Sequence, residues 1–423
     1  MIKKLPTDLP KLEQLLRPIY LMQIIFAGYM CCTSIFYYLN ALGFEYTSYL
    51  GPNPYQSKTI FFDIANTQRY YVLAHAALVS GLLYAMDYTR EKKYELNIGS
   101  MSKLLIQISI ICLPLGFIFE KIPGLNQFSI QLSGLSFVAG TIALAFAFRE
   151  RNRKVIVLTA GLFVINLIEF LGGGFKEPII ISFLLLGIYL LPIFGKKVIP
   201  VFGAILIMLF LLLPTFVGNF RSLSGAGLSA EEARDQSLNV ILEGGVFNSR
   251  IQNENWLFLT HRLSEMDMFI QFSHSTPQFK NYYKFDLVNQ ALYTPIPRVL
   301  WPSKPDMERQ VMERVYAAGV VDHRMLVSAK PAYVVDAYLS YGAIGIIIAL
   351  FLYGYFAQKI SNKAEHLFGG YFLGSAVMFA GLFQIFWRGN SFEFMFNAVF
   401  WSYITMLIVF QFLKARGIIV QKY

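Results

Sequence analysis

Three cysteines in 423 residues, Cys31, Cys32 and Cys112, all fall inside apolar runs, which excludes a disulfide framework and a thiolate metal site. Histidine is nearly as scarce. The five, at 75, 261, 274, 323 and 366, show no HExxH or other metal-ligand spacing, which argues against bound zinc. No glycine-rich phosphate loop, dinucleotide fingerprint or Ser-His-Asp signature occurs, so a nucleotide-using enzyme with a cytoplasmic site has no motif to rest on. Charge is also in short supply. Only 15% of residues are charged against 56% hydrophobic, with a mean hydropathy of +0.50, a composition too apolar for an ordinary soluble globule. Internal repeats and low-complexity segments are absent as well.

What is present is a series of apolar runs long enough to cross a bilayer, at roughly 18–40, 66–86, 103–119, 130–148, 155–171, 178–194, 198–217, 334–357, 369–387 and 392–413. They predict an all-α, polytopic integral membrane protein of about ten transmembrane helices with one large, mostly helical periplasmic loop. The expected divisions are a membrane part over 1–217, a loop domain over 218–333 and a second membrane part over 334–423. The N-terminus is polar to about Arg17 and the first apolar run has no small-residue cleavage site, so that run reads as a retained span. An even number of spans puts both termini on one side. Lys and Arg concentrate in 3–17, 90–103, 149–154, 196–197, 359–363 and 414–422, and the positive-inside rule then makes that side cytoplasmic. Those loops absorb much of the net charge of +10, which removes the case for nucleic acid as a partner.

The polar chemistry therefore faces outward. Inside the loop, Ser229-Ala230-Glu231-Glu232 has capping-box spacing, Asn255 to Phe272 has helical apolar spacing, and Asp306 to Ala317 reads as a short helix. Prolines at 295, 297, 302 and 305 bias the stretch between them toward polyproline II, whose threefold repeat would put Arg298, Trp301 and Lys304 on one face. A guanidinium there could fork onto phosphate and an indole stack on a sugar; the plain alternative is a stiff connector with solvated charges. Arg262 with Glu265, beside His261 and Asp267, reads as a phosphate cation and a base, or as a surface ion pair. Lys176 lies in a glycine-rich turn, and Arg388 and Glu169 lie at or within spans where a charge must be paired or face a cavity. Asp336, in a half-buried setting where the loop returns to the membrane, suits a general base or, equally, a helix-end carboxylate paired with an arginine.

In order along the chain, Arg262 with Asp267, then Ile296-Pro297-Arg298 leading to Trp301-Pro302-Ser303-Lys304-Pro305, then Ala337-Tyr338-Leu339-Ser340-Tyr341-Gly342-Ala343-Ile344-Gly345, resemble the Wzy-type polysaccharide polymerases of bacterial inner membranes. Gly174-Phe175-Lys176 departs from the Gly-Arg pair often seen in that family. The resemblance implies a glycosyltransferase of O-antigen type that moves a growing glycan from undecaprenyl diphosphate onto an incoming lipid-linked repeat unit. It also implies an inverting, metal-independent reaction without cofactor, in the inner membrane, with a chain-length regulator and a flippase as possible partners. On that reading Arg298, Lys304 and Arg388 hold pyrophosphate, with Arg262 and Lys176 as second choices. Asp336 is the base, with Glu265 or Asp267 in reserve, and Trp301 and Tyr338 are sugar platforms. An O-antigen ligase and a lipid-linked glycan flippase or exporter are the competing readings.

Overall fold

The computed structural model describes residues 5–52, 57–89, 92–122, 124–172, 177–244, 248–324, 329–384, 386 and 390–422. The N-terminal run is α1 (Pro18–Ile25), a π-helical turn over Phe26–Cys31 and α2 (Ser34–Ala41). Long apolar helices follow: α3 (Ile60–Ala85), α4 (Met101–Lys121), α5 (Asn126–Arg149), α6 (Arg153–Gly172), α7 (Glu177–Phe194) and α8 (Val198–Gly225). The insertion contributes α9 (Ala230–Gly244), α10 (Ser249–Phe258), a second π turn over Leu259–Leu263, α11 (Met266–Ser275), α12 (Asp286–Tyr293) and α13 (Met307–Ala317). The chain then returns through α14 (Tyr333–Leu367), α15 (Tyr371–Phe379) and α16 (Phe392–Ala415). Strand content is slight: β1 (Phe44–Glu45) pairs with β2 (Ser48–Tyr49), and β3 (Tyr94–Leu96) with β4 (Ile419–Gln421), both antiparallel.

Helix falls in each of the ten apolar intervals. Five stretches among the described residues are long and apolar enough to cross a membrane: Met101–Lys121, Phe128–Arg149, Glu177–Gly225, Tyr333–Leu367 and Phe392–Ala415. The third is a hairpin. Gly195 takes φ +66°, a left-handed conformation open to glycine at little cost, and the chain folds back so that Gly187 meets the Phe202 ring. Membrane helices gain little from apolar burial against one another and associate through close backbone approach. That is how α3 and α14 cross: a Cβ on Gly81 would lie 2.1 Å from Phe351 O, and one on Gly354 would lie 2.3 Å from Leu78 O.

The insertion shares its core with the long helices. Met266, Phe269 and Phe272 of α11, Leu287 of α12 and Val315 of α13 belong to the same apolar cluster as Tyr71, Val334 and Leu339. Two local expectations hold: Ser229 and Glu232 close a reciprocal capping box, and the short helix expected over Asp306 to Ala317 forms as α13, with Asp306 accepting from Glu308 N at 3.0 Å. A third does not. The continuous helix expected over Asn255 to Phe272 is broken by the π turn and by Glu265, whose φ of +48° is left-handed. Apolar periodicity sees only which side faces the core, and it survives a single wide turn.

Candidate functional site

A cavity of about 880 Å³ lies between α7, α8, α10 and the two π turns. Phe210, Pro214, Val217, Gly218 and Arg221 present one face of α8 to it, while Glu254, Leu257, Phe258, His261 and Arg262 present one face of the α10 segment. The two helices run antiparallel. Asn255 Nδ2 donates to Leu211 O at 2.5 Å, and the Phe210 and Phe258 rings sit 5.5 Å apart. Ile180 and Ile181 of α7 add to the apolar wall, with Glu177 one turn earlier. On the remaining side is Gly28, where an added Cβ would meet nothing within 4 Å, so the missing side chain is what leaves this wall open.

The volume is in the range of sites for sizeable ligands, and its walls are divided by chemistry. Arg221 and Arg262 supply two guanidiniums; among the described residues neither makes an ion pair or hydrogen bond. Three carboxylates, Glu177, Glu254 and Glu265, share the cavity with them and with His261. Such a mixture suits an anion carrying a polyhydroxyl group, since guanidiniums fork onto phosphate and carboxylates accept from hydroxyls. Glu265 sits where the π turn meets α11, in a backbone conformation that costs a non-glycine residue free energy and that clusters at functional sites. Behind His261, Asp267 accepts from Tyr37 Oη at 3.0 Å and lies 3.9 Å from His261 Nδ1. The imidazole first, and the tyrosine hydroxyl after burial, hold the Asp267 carboxyl below its ordinary value.

The residues ranked first by sequence are placed elsewhere. No shared polyproline face forms: Leu300 N and Trp301 N both bond to Pro297 O, and Lys304 N bonds to Trp301 O, so the segment is a chain of turns. Pro297 opens a turn where its missing N–H is no loss. Lys304 is buried, not exposed to a ligand; its Nζ donates to Thr294 O at 2.5 Å and Ile296 O at 3.0 Å, and burial followed by the nearby Arg298 charge lowers its pKa. Arg298 is exposed but folds back, donating from Nη1 to Lys304 O at 3.0 Å. Trp301 packs edge-on against Tyr293 and donates to Ser303 Oγ, and Trp401 Nε1 donates to Pro295 O. The whole segment is thus a clamp on α16. Tyr338 is 5% exposed, packed against Tyr70 and Phe269 with its hydroxyl on Thr276 O, which leaves no open ring face for a sugar.

Asp336 is fully buried instead of half-buried. Its Oδ2 accepts from Arg314 Nη2 at 3.0 Å and from Phe392 N at 2.8 Å, and Arg314 also forks onto Glu393 at 2.7 and 2.8 Å. One arginine is thus clasped by two carboxylates inside the protein, and among the described residues Asp336 Oδ1 and Arg314 Nε have no hydrogen-bond partner. Opposing charges win over desolvation at Arg314, whose pKa is raised. This is the arginine-paired alternative, and it ties α13, α14 and α16 together. Lys176, Arg388 and the Glu169 side chain lie outside the described residues.

Of the candidates from sequence, the structure brings Arg262 and Glu265 into one cavity with Asp267 close behind. Arg221 and Glu254 were missed. Arg221 follows an apolar run directly, and a charge at that position should face a cavity or headgroups, which was the available signal. A family model described as Domain of unknown function (DUF8712) matches residues 1–421. The chain belongs to that family. No curated protein matches this DUF8712 member, and no solved structure does.

Proposed function

We propose that this DUF8712 member is a membrane glycosyltransferase of the Wzy type, moving a glycan from a polyprenyl diphosphate onto a hydroxyl of a second lipid-linked sugar. The observation that carries the reading is the cavity, where two guanidiniums without a partner among the described residues share an apolar-walled space between helices with three carboxylates. In the proposed reaction the acceptor oxygen attacks the anomeric carbon, the bond from that carbon to the diphosphate oxygen breaks, and the acceptor proton passes to a carboxylate. Arg262 and Arg221 take the charge that develops on the departing diphosphate, and Glu265 takes the proton. Electrostatic stabilisation of a leaving group is worth about 2.7–4 kcal/mol per donor, or roughly 10²–10³ in rate. The proposal keeps ten crossings, cytoplasmic termini and an insertion facing outward, and it moves the chemistry away from Arg298, Lys304 and Asp336.

The test is glycan-ladder formation by purified protein given an undecaprenyl-diphosphate-linked repeat unit in EDTA. Ladders should be lost in Arg262→Ala and Arg221→Ala and retained in Arg298→Ala. A ladder indifferent to both cavity arginines would refute the site. Passage of the intact lipid-linked glycan across a reconstituted bilayer, with no ladder, would replace the transferase with an exporter.

A further inference from the structure

The insertion carries an apolar surface that the cavity does not use. On α12, Leu287 and Ala291 point inward and are buried, while Val288 and Leu292, with Phe285 just before the helix, form a second stripe about a third of a turn further round that is exposed. Ile296, Val299 and Leu300 extend that stripe beyond the helix, with Leu300 76% exposed. The apolar arc of α12 is thus wider than the part the protein covers, with Asp286, Asn289 and Gln290 on the side away from it.

The two ends of this stripe show what covers it. At one end the Phe285 ring meets Tyr341 at 5.3 Å, one turn before Ile344, where the exposed apolar face of the membrane-length helix α14 continues through Ile347 and Ile348 to Leu352 and Phe356. At the other, Val299 packs so closely on Gly124 that a Cβ there would lie 2.4 Å from Val299 Cγ2; Gly124 follows the membrane-length helix α4, whose exposed residues include Phe117, Ile118 and Ile122. The stripe therefore bridges the ends of two lipid-length helices and continues the outward apolar face of each. Exposed Lys280, Lys284 and Arg298 flank it, against one exposed acid on the helix, Asp286.

We propose that α12 and the segment to Leu300 form an interfacial element, lying in the plane of the bilayer with the Phe285–Leu292 stripe at the acyl boundary and Lys280, Lys284 and Arg298 among anionic headgroups. An amphipathic surface of this kind binds through buried apolar area together with attraction to anionic lipid. The inference is independent of the reaction proposed above.

The test places a fluorophore on Leu292→Cys in the full chain, with Cys31, Cys32 and Cys112 replaced by Ser, in nanodiscs containing phosphatidylglycerol brominated at shallow or deep acyl positions. Emission from position 292 should be quenched about twofold by the shallow bromines and less by the deep ones. A label on exposed Glu313→Cys should respond to aqueous iodide only. In the unsubstituted chain, a photoreactive phosphatidylglycerol should crosslink to the peptide holding residues 285–300, which keeps the test alive if the cysteine replacements disturb folding. Iodide access at 292 equal to that at 313, with no bromolipid quenching and no crosslink, would overturn the proposal. Shielding from iodide without bromolipid quenching would also overturn it, and would mean a protein covers the stripe.

Discussion

Arg314→Met tests the buried ion cluster most directly. The substitution preserves most of the side-chain volume but removes the three bonds from the guanidinium to Asp336 and Glu393. Two carboxylates, both essentially inaccessible to solvent, are then left facing each other without a cation. Removing one partner of a buried pair costs about 3–5 kcal/mol, because the charge left behind has lost water and gained nothing. At about 1.4 kcal/mol per decade that is a drop of roughly 10²–10⁴-fold in the folded-to-unfolded ratio. A companion variant separates charge from packing: Arg314→Met with Asp336→Asn and Glu393→Leu leaves no ionised group inside and keeps an acceptor for Phe392 N. Replacing a whole buried cluster by neutral groups is often neutral or stabilising, so the triple variant should recover to within about 1–2 kcal/mol of the parent. The assay is the unfolding midpoint on titration with SDS in mixed micelles, read by tryptophan emission. A single variant within about 1 kcal/mol of the parent, or a triple variant no better than the single one, would refute the argument.

Three further outcomes follow from other parts of the molecule. Lys304→Met should destabilise by about 1–3 kcal/mol, since the buried Thr294 carbonyl and the partly buried Ile296 carbonyl lose their donor, yet leave catalysis per folded molecule unchanged; a phosphate-binding lysine would do the reverse. Gly28→Phe should fill the cavity wall and abolish ladder formation while leaving the thermal midpoint in detergent close to the parent, because no atom stands within 4 Å of an added Cβ. For Asp267 the folded carboxyl titrates below its ordinary value near 3.8, so its stabilising contribution is complete above that pH and is lost as pH falls through the lower, folded value. Unfolding midpoints of the parent and of Asp267→Asn should therefore differ by a constant amount above pH 4 and converge below it; a gap that instead closed toward neutral pH would contradict the assignment.

The helical frame was legible in the sequence because a bilayer admits few backbone solutions, and an apolar run of sufficient length has to be a helix. The capping box at Ser229 was legible for a similar reason, being settled within four residues. Legibility ended where partners are distant. Asp336 stood out as an odd charge, but Arg314, 22 residues away, sits in a short polar helix that reads as a solvated face, and Glu393 is 79 residues from Arg314. The cavity draws on residues from Gly28 to Glu265 in four separate segments, and no local pattern joins them. The proline-rich stretch misled for a different reason: proline limits φ without choosing between an extended run and a series of turns, and docking on α16 made the choice.

α14 is interrupted at Tyr341 and Gly342, so its span is counted in residues rather than as one straight rod. Residues 337–358 carry no charge, and about 20 apolar residues suffice to cross the hydrocarbon core of a bilayer. Asp336 therefore stands at the boundary, and this segment can enter lipid with its carboxylate still hydrated. The insertion helix α13 carries Arg314, so the finished cluster ties this segment to the insertion. A chain whose outer helices have not docked would therefore differ from the finished protein by one ion cluster at this edge.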